Sequence, residues 1–77
     1  MGRYFIGRRV YVWDEFSLCV YGYEIREIER RYSVNWYHLF PLERDLCDGW
    51  CDEDVLLVSE LSEDDERVIS YKKKLGI

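Results

Sequence analysis

No apolar stretch in this 77-residue chain approaches the ~20 residues that cross a bilayer, so no membrane span is expected. The first nine residues, Met1 to Arg9, hold no continuous apolar core ahead of a small-residue cleavage site, which argues against a secretory leader. Cysteine is sparse and odd in number. Cys19, Cys47 and Cys51 cannot all pair with one another, which fits a reducing compartment and predicts a cytoplasmic protein. Glycine-rich phosphate loops, a nucleophile elbow, internal repeats and low-complexity linkers are all missing. The only histidine is His38, and nothing marks any of the three thiols as activated for attack. Catalysis is not expected.

Basic charge is lacking where a nucleic acid would need it. The net charge is −5, and residues 43–66 carry eleven acidic side chains against one arginine. A phosphate backbone requires a basic stripe, so this segment excludes direct nucleic-acid binding through its surface. The longest basic run, Lys72-Lys73-Lys74, lies in the last few residues, so the chain is polarised.

Aromatic residues are plentiful: thirteen of them, within a composition that is 48% hydrophobic. A domain this small buries only about 60% of the surface its unfolded chain exposes, so large side chains must fill its core. The chain therefore reads as one folded domain.

Val10 to Trp13 alternates as a short strand, with Val10 and Val12 inward and Tyr11 and Trp13 at least partly outward. Leu18–Ile28 and Tyr32–Tyr37 form the central pair, with Glu29-Arg30-Arg31 as the expected turn. Gly22 predicts a bulge or sharp bend, and the three-residue spacing of Ile25 and Ile28 predicts a second irregularity near Arg26 or Glu27. Pro41 ends the next strand. Val55–Val58 reads as a short buried strand. A terminal helix follows over about residues 62–75. Ser62 is its expected N-cap, with Ser59 as the alternative; acids crowd its first turns, lysines its last, and Gly76 stops it.

Several of these pieces resemble small Src-homology-3-like barrels, including short proteins encoded by bacteriophages. Gly7-Arg8-Arg9-Val10-Tyr11-Val12 resembles their opening strand, Ile25-x-x-Ile28 the second and Tyr32-x-Val34-x-Trp36 the third. Asp54 to Ser59 resembles a last strand running into a capped helix. The resemblance implies a mainly β fold. It would be an antiparallel barrel of four to five strands over about residues 3–58, with a C-terminal helix. As a setting it implies a phage-encoded inhibitor of a host defence protein, such as a CRISPR effector.

Three surfaces are candidates for function. Glu43, Asp45, Asp48, Asp52, Glu53 and Asp54 cluster in sequence around Trp50, which suits a basic protein partner whose own groove holds nucleic acid. Tyr11, Trp13, Tyr21 and Tyr37 could instead form an aromatic pocket for a nucleotide or a methylated cation. Cys19, His38, Cys47 and Cys51 have the ligand count of a tetrahedral zinc site. Burial as small hydrophobes is the more ordinary fate of free cysteines, so no metal is expected. Non-enzymatic protein binding is the leading expectation, by a monomer or, through an exposed strand edge, a homodimer.

Overall fold

A computed structural model describes residues 3–77, so the Met1-Gly2 end of the segment read for a leader lies outside it. Four strands, β1 (Arg9–Asp14), β2 (Cys19–Arg31), β3 (Val34–Pro41) and β4 (Gly49–Asp52), form one antiparallel sheet in the order β1-β2-β3-β4. Two helices follow, α1 (Glu53–Ser59) and α2 (Glu66–Leu75). The mainly β expectation holds, but the sheet is open, with β1 and β4 as its edges. The chain returns to β1 only briefly. Val12 and Glu60 form a single bridge, and the Leu61 amide donates to the Tyr11 carbonyl at 2.7 Å.

Both faces of the sheet are covered, which gives a 77-residue chain two small cores. Val10, Ile25, Tyr37 and Leu39 point to one face and pack beneath Tyr4 and Leu56 of α1. Tyr11 and Val20 point to the other and pack beneath Val68 and Tyr71 of α2. This corrects the outward placement of Tyr11, which is 2% exposed. Alternation assigned its face correctly, but α2 covers that face too.

Val55–Val58 is helical, not a strand. Asp52 accepts the Val55 amide at 2.8 Å as N-cap, and Glu53 and Asp54 occupy the positive end of the helix. Leu56 alone of the four apolar residues is buried, whereas Val58 is 88% exposed. A short apolar run does not distinguish the two structures by periodicity, and the acidic cap decides it.

Three further expectations change. The β2–β3 turn lies at Tyr32-Ser33 rather than Glu29-Arg30-Arg31, with φ of 51° and 65°. Two consecutive positive φ values mark the mirror-image two-residue loop whose twist suits a hairpin. Asp65, not Ser62, caps α2, accepting the Arg67 amide at 2.9 Å. Ser62 instead holds the preceding turn through the Asp64 amide. Finally, the β1–β2 register runs unbroken through Gly22. A β-carbon there would lie 2.8 Å from Leu42 Cδ1 and 2.9 Å from Tyr71 Cε2, so the glycine makes room for α2. The irregularity expected near Arg26 is present, between Ile25 and Glu27. Gly76 ends α2 at φ 76°, and Lys72–Lys74 occupy its last turn.

Candidate functional site

Beyond α2, the sheet face carries an open row of rings and charges. His38 on β3 and Trp50 on β4 are register partners, so their side chains project side by side. They stack with centroids 4.9 Å apart and planes 9° from parallel. Phe40, two residues along β3 on the same face, meets His38 edge-on. Arg26 lies over Phe40 at 4.6 Å, and Arg31 lies over both Trp36 and Trp50. Each guanidinium is in turn held by a carboxylate, Glu24 for Arg26 and Glu29 for Arg31. The rings are thus held by the chain's own charged side chains.

His38 lies between two carboxylates. Its Nε2 is 2.7 Å from Asp48, in the loop before β4, and its Nδ1 is 3.0 Å from Glu27, its neighbour on β2. Only the imidazolium can donate from both nitrogens. Asp48, and then Glu27, raises the His38 pKa above its ordinary 6.5 against partial desolvation, while His38 lowers that of Asp48. The pair fastens the 42–48 loop and β4 to the rest of the sheet.

The acidic set around Trp50 divides into fastened and free members. Glu43 accepts the Tyr71 hydroxyl at 2.8 Å, and Glu53 accepts the Tyr37 hydroxyl at 2.6 Å. Burial, then Glu53, pushes the Tyr37 phenol up to about 12. Asp52 caps α1, and Asp48 holds His38. Asp45 and Asp54 are exposed, and their side chains make no hydrogen bond or ion pair with the described residues. Trp50 is 37% exposed. The segment therefore builds structure with most of its carboxylates while still presenting negative charge to solvent.

The proposed aromatic pocket is split by the sheet. Tyr11 and Tyr37 are buried in opposite cores. Trp13 and Tyr21 do share a groove of about 580 Å³ between the β1–β2 hairpin, β4 and α1. Tyr23, Phe16 and Trp50 contribute to the same lining. Arg67 covers a face of Trp13 at 4.7 Å, and Trp50 is already met by His38 and Arg31, so both indoles carry cations of their own chain.

The cysteine–histidine set is not brought together. His38 and Cys51 are next to register partners and so project to opposite faces of the sheet. No cluster of three or more His, Cys, Asp or Glu is placed to hold a metal among the described residues. Burial, then Asp52, pushes the Cys51 thiol up, away from the thiolate a nucleophile needs. Against known protein families, characterised proteins and solved structures, the chain shows no match.

The row centred on His38 is the feature that sequence reasoning missed. Its signal was present, because the alternation that aligns Val34 with Trp36 continues to His38 and Phe40. The cross-strand partners Trp50 and Glu27 could not be paired without the register.

Proposed function

We propose that the protein is a non-enzymatic interaction module that docks the acidic, aromatic surface around β4 on a basic partner protein. The supporting observation is Trp50, part-exposed and clamped against His38, beside a loop and helix start rich in carboxylates. Rigid aromatic side chains lose little entropy on binding and make efficient anchors. Carboxylates around them select a cationic partner and speed its approach. A partner whose own groove binds phosphates offers that complement. In the phage setting that the resemblance implies, such a module would inhibit a host defence protein, a CRISPR effector for example, by occupying that groove.

Asp45 and Asp54 suit a test by charge reversal, because neither side chain bonds to another described residue; Asp54→Lys gives up only its place at the positive end of α1, so folding is checked by circular dichroism. Affinity capture with the whole chain is expected to retain a basic protein, whose binding is then measured directly. The double variant Asp45→Lys/Asp54→Lys should weaken that binding at least about ten-fold, and added salt should weaken the wild-type complex. Binding indifferent to both changes rules the acidic surface out.

A further inference from the structure

The groove bounded by the β1–β2 hairpin, β4 and α1 has a chemistry that names what could fill it. Leu39, Leu56 and Cys51 form part of its lining, and Val55 and Val58 line the α1 side. Three apolar side chains on its lining stay uncovered. Phe16 is fully exposed, Val58 is 88% exposed and Val55 is 53% exposed. Exposed apolar residues grouped around a concavity mark a surface that is covered in use.

Several polar groups of the groove are already engaged. Asp14 accepts the Phe16 amide and the Ser17 hydroxyl, each at 2.9 Å. The Tyr21 hydroxyl donates to Ser17, and the Ser59 hydroxyl donates to the Val55 carbonyl at 2.7 Å. With Val12, Leu39, Cys51 and Leu56 in its lining, the interior favours an apolar group. Charge narrows the choice further. Among the described residues, the lining holds two carboxylates, Asp14 and Glu15, and no lysine, arginine or histidine. Asp54 is exposed one residue before the lining Val55. Because Trp13 and Trp50 are met by Arg67 and by Arg31 with His38, a partner's cation belongs at the carboxylate rim, not between the indoles.

We infer that the groove seats a large apolar side chain presented by a basic segment of the partner protein, with that segment's cations against Glu15 and Asp54. This inference rests on the interaction reading above and gives the partner its chemical class: an amphipathic, lysine- or arginine-bearing peptide with an apolar anchor.

Selection of random displayed peptides against the whole chain tests it. The selected peptides should combine Lys or Arg with a neighbouring Leu, Phe, Met or Trp. The deciding variants are Val58→Glu and, on the opposite wall, Phe16→Glu, with folding checked by circular dichroism. Both positions are almost fully exposed, and both substitutions make the chain more acidic. Attraction by charge alone predicts equal or tighter binding to them, whereas an anchor in the groove predicts a loss of at least about ten-fold. Undiminished binding to both variants overturns the groove inference and leaves the acidic-surface reading standing. Peptides without basic residues, or no selected peptide, overturn both. Basic peptides that lose affinity on Asp45→Lys/Asp54→Lys and also on Val58→Glu uphold both.

Discussion

His38 is the single side chain on which most of the open sheet face converges. Glu27 holds one ring nitrogen and Asp48 the other, with Trp50 and Phe40 against the ring. Its pKa is raised in the folded chain, chiefly by Asp48. A histidine raised above its unfolded value stabilises the fold fully below that value and loses the contribution as pH rises through the folded pKa. The stability difference between wild type and His38→Gln should therefore be larger near pH 5.5 than near pH 8.5, measured by urea denaturation. A difference that stays constant between the two would exclude the doubly bonded imidazolium. Gly22 is the other residue whose identity is fixed by its surroundings. Its amide donates to the Tyr71 hydroxyl at 2.9 Å, its carbonyl accepts the Leu42 amide, and a β-carbon would strike both of those side chains. Gly22→Ala should cost about 1–3 kcal/mol through overpacking, with β1–β2 pairing intact by amide exchange. An unchanged unfolding midpoint would show that α2 yields freely.

At the level of elements, the sequence was most legible where alternation was clean and caps were chemically marked. Val10–Trp13 and Val34–Trp36 lie in strands as their patterns required, and Gly76 with three lysines marks the end of α2. Turns and short apolar runs were less legible. Tyr32-Ser33 carries none of the Asn-Gly or Asp-Gly chemistry that announces a tight hairpin, while Glu29-Arg30-Arg31 has the polarity of a loop and is strand. Of the candidate site, the acidic residues and Trp50 could be read along the chain, but the His38 contacts depend on register and the groove on where α1 crosses the sheet. The unsuited turn leads to a prediction. Tyr32 and Ser33 both hold left-handed backbone, which disfavours any side chain. Ser33→Gly should raise stability by about 0.5–1 kcal/mol in chemical denaturation, the relief of strain exceeding the entropy lost. A destabilised variant would mean that the Ser33 side chain does something its exposed position does not reveal.

For the molecule as a whole, the central fact is one sheet with a core on each side. Leu56 of α1 closes one core and Val68 of α2 the other, and both are completely buried. Val10 and Tyr11, or Val20 and Tyr21, are consecutive residues serving opposite faces, so neither layer can loosen without disturbing the strands that support the other. A domain of this size is stable by roughly 4–12 kcal/mol, and truncating a buried Leu costs about 2–5 of that. Leu56→Ala and Val68→Ala should each lower the unfolding midpoint markedly. In each variant, far-ultraviolet dichroism and tryptophan fluorescence should report one coincident transition. Trp13 lies against the α2 core and Trp50 on β4, so fluorescence samples both ends of the sheet. If Val68→Ala frees α2 in a separate early step while the sheet persists, the two layers are independent. The four-stranded sheet with α1 would then be the folding unit, and α2 an appended cover. A single transition in both variants instead makes α2 integral to the sheet that holds the His38–Trp50 row in place.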